Sequence, residues 1–263
     1  MTIHPATLYL DRLDAVVFDT DGVVTDTART HASAWKRTFD EFLRRRGRTT
    51  GADQPLFDVR VDYLRFVDGR PRLDGVRAFL DSRGIVLPEG TDQVDTSADT
   101  VVSLAARKTR YFLEDVDRHG VAAFPSTVAL LRELRRRRVR TAVVSSSRNC
   151  ARVLAAARVS DLFDIRVDGL DMARLGLPGK PDPALFCEAA RRLRVRPDRC
   201  AVLEDALAGV EAGRRGGFAL AVGVDRLGLL DGALYERGAH VVVRDLAHIT
   251  LTWRNREPLV AQV

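Results

Sequence analysis

Short apolar, β-branched runs alternate with amphipathic helical stretches along most of this chain, and that alternation is what most restricts its fold. Strand-like runs fall at Leu13–Phe18, Arg140–Val144, Ile165–Val167, Ala201–Leu203, Phe218–Val222 and His240–Val243. Helical patterns separate the later ones, at Ser126–Arg137, Asn149–Ala157, Pro183–Leu193 and Ala206–Arg215. Strands that alternate with helices build a parallel sheet covered on both faces. Reactive groups in such sheets collect at the carboxyl ends of the strands.

One stretch breaks the rhythm. Between about Ala28 and Arg118 the sequence carries helix candidates at Ala32–Arg45, Gly75–Arg83 and Ala98–Val116 and no convincing strand. We read a helical insertion after the first strand, residues 29–117, in a core made of residues 1–28 and 118–263. The chain has 263 residues, 46% hydrophobic and 30% charged, enough for a sizeable core and unlike disordered or fibrous compositions. No apolar run approaches the ~20 residues that span a bilayer, and the first residues lack a secretory pattern. Cys150, Cys187 and Cys200 form no C-x-x-C pair, which fits a reducing cytoplasm.

The net charge of +6 comes from 42 Lys+Arg against 36 Asp+Glu. That excess is interleaved with acids along the chain, so it argues for no nucleic-acid surface. The Arg135–Arg138 run closes a helix, where cations suit the negative end of the dipole. Only three of the 42 cations are lysines: Lys36, Lys108 and Lys180.

The strand ends carry the chemistry. Asp19 and Asp21 follow the first strand two residues apart, with Gly22 next. Two carboxylates leaving one strand end concentrate negative charge, and hard oxygen donors of this kind suit Mg²⁺. One carboxylate can attack phosphorus while its neighbour moves protons. Ser145 ends the second strand with a hydroxyl. Lys180 precedes a helix start, where a compact ammonium can neutralise both an aspartate and a phosphoryl oxygen. Glu204 and Asp205 end another strand and complete a metal shell. Each fragment alone has a plainer reading: an acidic turn, an ST-turn for Ser145, a solvated loop for Lys180, an N-cap for Asp205. Four such strand-end signals in this order are hard to reconcile with coincidence.

Phe18-Asp19-Thr20-Asp21-Gly22-Val23-Val24-Thr25-Asp26-Thr27, Ser145, Lys180 and Glu204-Asp205 together resemble the four motifs of the haloacid-dehalogenase superfamily, over essentially the whole chain. The resemblance implies a Rossmann-like α/β core, a small α-helical cap and a Mg²⁺-dependent aspartyl-phosphate mechanism. It implies Asp19 as nucleophile and Asp21 as general acid/base, with Ser145 and Lys180 on the phosphoryl group. It implies that Asp19, the main-chain carbonyl of Asp21 and Asp205 hold Mg²⁺, with Glu204 beside the metal or its water.

Within that superfamily the chain is most similar to the β-phosphoglucomutase family. The likeness rests on the first motif, with Thr27 and His31 after it, and on Val67-Asp68-Gly69-Arg70-Pro71-Arg72 and Ala106-Arg107-Lys108-Thr109. Ser145-Ser146-Ser147-Arg148-Asn149 is similar as well. It implies substrate contacts at Thr27, His31, Gly69, Arg72, Lys108, Ser147 and Asn149, with Arg72 as a fork for a distal phosphate. It implies a phosphotransferase that turns β-D-glucose 1-phosphate into glucose 6-phosphate, with β-D-glucose 1,6-bisphosphate as phosphoryl donor. The expected partner is thus a small sugar phosphate, and the expected state a monomer without nucleic-acid or membrane partners. Four positions depart from the family pattern: Asp68 stands for a lysine, Thr109 for an asparagine, Arg148 for a lysine and Thr20 for an apolar residue. A sugar-phosphate phosphatase shares the same motifs, as would a non-enzymatic binding protein on this fold.

Overall fold

The apolar run after Leu13 becomes β2 of a computed structural model that describes residues 6–51, 54–91 and 98–253. The strands, in chain order, are β1 Ala6–Tyr9, β2 Ala15–Asp19, β3 Arg140–Val144, β4 Ile165–Val167, β5 Cys200–Glu204, β6 Leu220–Val224, β7 Val241–Val243 and β8 Ile249–Thr252. The helices are α1 Ala28–Thr50, α2 Arg72–Ser82, α3 Val101–His119, α4 Pro125–Arg136, α5 Cys150–Ala156, α6 Gly169–Leu175, α7 Ala184–Leu193, α8 Leu207–Arg215 and α9 Asp231–Glu236. A π-helical turn, Tyr63–Val67, lies between α1 and α2.

Six strands form one parallel sheet in the order β4-β3-β2-β5-β6-β7. Every residue of β2 is buried, as a continuous Ala-Val-Val-Phe run must be in a central strand covered on both sides. Val16 and Phe18 join the apolar cluster on one face, while Ala15 and Val17 join the cluster on the other. Burying each of the larger of these side chains contributes about 1.5–3 kcal/mol. The chain leaves β2 for β3 on one side and reaches β5 on the other, so the crevice between β3 and β5 opens at the carboxyl end of β2.

The structure corrects several sequence boundaries. The strand read at Phe218–Val222 starts two residues later. Phe218 N–H bonds the Gly213 carbonyl and its ring packs edge-on to Phe186, so it belongs to the end of α8. The strands β1 and β8 were not visible in the sequence. They are four residues each and pair in parallel across most of the chain, Ala6 with Ile249. Helices α6 and α9 and the π-turn were also missed. The first helix of the insertion is longer than its apolar stripe, running from Ala28 to Thr50 and closing on Gly51. Residues 1–5, on which the secretory reading rested, lie outside the described residues. No helix among the described residues is long and apolar enough to cross a membrane.

The insertion holds its own apolar cluster. Phe39 packs against Trp35, Phe57 and Phe79 with ring centroids 5.2, 5.2 and 4.0 Å away. Lys36 ties the strandless segment before the π-turn to α1, bonding the Phe57 carbonyl and Asp40, each at 2.9 Å.

Candidate active site

Four loops at the carboxyl ends of β2, β3 and β5 and before α7 bring the acidic motifs together. Asp19 is the last residue of β2, and its Oδ2 accepts the backbone N–H of Asp21 at 2.9 Å. Its Oδ1 lies 2.5 Å from Lys180 Nζ, which also bonds Glu204. Glu204 Oε2 accepts the Ala206 N–H at 2.7 Å, so both its oxygens are engaged. Asp205 closes the group, and oxygens of Asp19, Glu204 and Asp205 all lie within 4.8 Å of one another. Only glycine fits at position 22: its φ is +83°, and a Cβ there would stand 1.7 Å from Asp205 Oδ2.

Burial pushes Asp19 well above the usual carboxylate range, opposed by Lys180 and reinforced by Glu204 and Asp21. Asp205 is raised likewise by burial, and then by Asp68, Glu204 and Asp19. One ammonium therefore faces several buried carboxylates, a set whose charge a divalent cation would neutralise. The oxygen donors fit Mg²⁺ on that ground.

Asp21 points away from this group. Its Oδ1 accepts the Thr27 hydroxyl and faces His31 Nε2 at 3.3 Å, while Oδ2 lies 3.4 Å from Ser145 Oγ. Burial works against its ionisation, yet His31, Thr27 and Lys108 hold it below the usual carboxylate range. Thr27, expected to touch substrate, is instead 1% exposed behind Asp21 and outside the cavity lining, because it sits at the N-cap of α1 with its hydroxyl turned inward. Thr20, between the two aspartates, turns the other way and donates to the Val144 carbonyl at 2.9 Å.

The remaining sequence candidates line one cavity of about 420 Å³ between core and insertion. His31, Gly69, Arg72 and Lys108 come from the insertion, and Ser145, Ser147 and Asn149 from the loop after β3. Ser145 Oγ accepts the Ser147 N–H and Ser147 Oγ accepts the Asn149 N–H, each at 3.1 Å, which curls that loop around the strand end. Arg72 opens α2, and its guanidinium donates to Thr109 at 2.9 Å. Arg148 is exposed at the rim.

Two groups escaped the sequence reading. Arg226, in the loop after β6, donates to the Gly22 carbonyl at 2.9 Å and stacks 3.5 Å over Phe124, holding the turn that follows Asp21. No local signal marks it. Asp68 was read only as a missing lysine, but it lines the same cavity as Asp19, Asp21 and Asp205. Burial and Glu204 push it up to about 7, against Tyr63 and Lys180.

A parallel sheet with an acidic crevice at its switch point and a helical insertion over it defines a haloacid-dehalogenase-type phosphotransferase core. The sequence model of the haloacid dehalogenase-like hydrolase family matches residues 13–217, and the chain belongs to that family. Within it the chain falls in the β-phosphoglucomutase-like subfamily. It is 42% identical to a β-phosphoglucomutase of Mycobacterium bovis over 91% of this chain and 92% of the relative. It is 31% identical to that of Bacillus subtilis, over 93% and 95%. The crystal structure of β-phosphoglucomutase from Clostridium difficile superposes with a TM-score of 0.67 at 24% identity, covering 89% of this chain and 92% of that one, a likeness of fold.

Proposed function

We propose that this chain is a β-phosphoglucomutase, interconverting β-D-glucose 1-phosphate and D-glucose 6-phosphate through a phosphoryl group carried on Asp19. The observation that carries the reading is the pair of anion-binding ends on one cavity. Asp19 and Ser145 stand at the core end, with Lys180 behind them on Asp19, and Arg72 stands on the insertion. A bisphosphorylated sugar needs both ends; a simple phosphate ester needs only the first.

Mg²⁺ held by Asp19, Asp205 and the Asp21 carbonyl would neutralise charge on the transferring phosphoryl. Asp19 attacks the phosphorus of β-D-glucose 1,6-bisphosphate, forming a P–O bond to its carboxylate while the P–O bond to the sugar breaks. Asp21 returns to the departing sugar oxygen the proton that it takes from the attacking hydroxyl in the opposite half-reaction. The 6-hydroxyl of an incoming β-D-glucose 1-phosphate then attacks the aspartyl phosphate while Asp21 takes its proton, and the bisphosphate so formed turns its 1-phosphate to Asp19 and leaves as D-glucose 6-phosphate. Lys180 keeps Asp19 in place and its charge balanced, and Ser145 holds a phosphoryl oxygen. The insertion acts as a cap, residues 29–117 over the core, excluding water that would hydrolyse the aspartyl phosphate.

The test supplies β-D-glucose 1-phosphate and Mg²⁺ with a trace of the 1,6-bisphosphate. Glucose 6-phosphate without free phosphate is the expected product. Stoichiometric phosphate release would overturn the mutase reading in favour of a sugar-phosphate phosphatase.

A further inference from the structure

Two linkers join the insertion to the core, one running from Asp21 to α1 and the other from α3 to α4. They pair with each other: Asp26 N–H donates to the Ala122 carbonyl at 2.9 Å, and Phe124 N–H to the Val24 carbonyl at 3.0 Å. The Asp21 carboxylate is bonded from the insertion's end of this strip, by the Thr27 hydroxyl at the start of α1, with His31 3.3 Å away. A shift of α1 therefore pulls on Asp21 unless the backbone after it is held to the core.

Arg226, in the loop after β6, makes that tie, with Thr127 beside it. The turn after Asp21 closes on itself through Gly22 N–H to the Thr25 carbonyl at 2.8 Å and Thr25 N–H to the Thr20 carbonyl at 2.9 Å. The Gly22 and Val23 carbonyls are taken by side chains. Arg226 Nε donates to Gly22 at 2.9 Å and Nη2 to Val23 at 3.3 Å, and the Thr127 hydroxyl donates to Val23 at 2.7 Å. The same guanidinium lies 3.5 Å over the Phe124 ring, on the returning linker. Its Nη1 donates to Asp245 at 2.7 Å, and Asp245 is fixed in turn by accepting the Ala247 N–H at 2.7 Å. A planar fork can serve two carbonyls, a carboxylate and a ring face at once, whereas a lysine ammonium is a single point. Arg226 lies outside the cavity lining.

We propose that Arg226 is a positioning residue for Asp21. It fastens the turn that follows Asp21, and the returning linker with it, to the core, so that the acid/base keeps its place when the insertion moves. The inference rests on the acid/base reading of Asp21 made above. Proton transfer needs Asp21 within hydrogen-bond reach of the sugar oxygen, and a displacement of about 1 Å can cost on the order of a hundredfold in rate. A nitrophenolate leaves phosphorus without needing a proton, whereas a sugar alkoxide needs one. Loss of Arg226 therefore falls on sugar phosphates and spares activated aryl phosphates.

The experiment measures kcat/KM of the full-length protein, with Mg²⁺, for β-D-glucose 1-phosphate primed with its 1,6-bisphosphate and for p-nitrophenyl phosphate. The readout is the ratio of the two, which does not change when part of a preparation is unfolded. Arg226→Met keeps the bulk and loses the donors, and should lower the ratio on the order of tenfold. Arg226→Lys keeps the charge and should recover part of the loss. Phe124→Leu leaves the carbonyl contacts and should lose less than Arg226→Met. A wild-type ratio in Arg226→Met would overturn the proposal. If Arg226→Met does not fold, wild-type ratios in both Arg226→Lys and Phe124→Leu would overturn it. Asp21→Asn is the reference and should lower the ratio further; an unchanged ratio there would overturn the acid/base reading and this inference with it. Release of all the sugar's phosphate by the wild type would overturn the mutase reading alone, and the ratio for sugar-phosphate consumption would still decide the role of Arg226.

Discussion

Lys108 Nζ lies 2.6 Å from His31 Nδ1, and the other nitrogen of that ring faces Asp21 at 3.3 Å. While Lys108 is an ammonium it can only donate to Nδ1, and a neutral imidazole then carries its proton on Nε2, on the side of the carboxylate. A lysine of the insertion thus reaches Asp21 of the core through one histidine. Lys108 also lies 4.9 Å over Phe112 and 5.2 Å over Trp35. Burial depresses His31 below its ordinary value, with Lys108 adding to the effect and Asp21 opposing it.

Burial also pushes Lys108 down to about 7, opposed by Asp21 and reinforced by Arg72. The folded protein therefore releases this proton near pH 7, and the unfolded chain near 10.5. Between those values the unfolded state binds more protons, so this residue's contribution to stability rises with pH. Its penalty is full below about pH 7 and fades toward 10.5. Lys108→Met should raise the thermal midpoint at about pH 6 by several degrees, with the gain shrinking by about pH 10. Calorimetry across pH checks this; a gain independent of pH would contradict it.

Asp19→Asn should lower sugar-phosphate turnover by several orders of magnitude, since an amide cannot take the phosphoryl group. Because Asp19 is raised by burial among other acids, the change should not lower the thermal midpoint in a chelator. Coupled enzymatic assay and thermal unfolding of the same preparation test the two statements separately.

Arg72→Ala should cost the mutase reaction far more than hydrolysis of a small aryl phosphate. The guanidinium stands on the cap side of the cavity, where only a second phosphate would reach it. The ratio of kcat/KM values for the two substrates is the measurement. Equal losses would remove Arg72 from phosphate binding.

Gly69→Ala should separate folding from closure. The added methyl meets Ala206 across the docking contact, and the left-handed backbone adds about 1–2 kcal/mol of strain. Sugar-phosphate turnover should fall at least on the order of tenfold, while circular dichroism stays unchanged. The proportion of phosphate released per turnover should rise, as water gains access to the aspartyl phosphate.

How much of this was legible beforehand differs by residue. Asp19, Ser145, Lys180, Glu204 and Asp205 stand at strand ends or before a helix, and each boundary is marked by its neighbours in sequence. Local signals therefore found them. Lysine, rare in this chain, was a further pointer: Lys180 lies in the acidic group and Lys108 against His31, while Lys36 supports the cap. Thr27 was misread because spacing shows that a hydroxyl follows Asp21 but not which way it turns.

The sequence by itself determined the alternation of strands and helices, the interruption that became the insertion, and the order in which the acids arrive. Those depend on apolar periodicity and turn chemistry within a few residues of each other. Only the tertiary structure decided that β1 pairs with β8, that Arg226 grips the turn after Asp21, and that Asp68 and Asp205 line one cavity. Each of these joins segments far apart in the chain, and their meeting depends on how the packed layers and the cap dock.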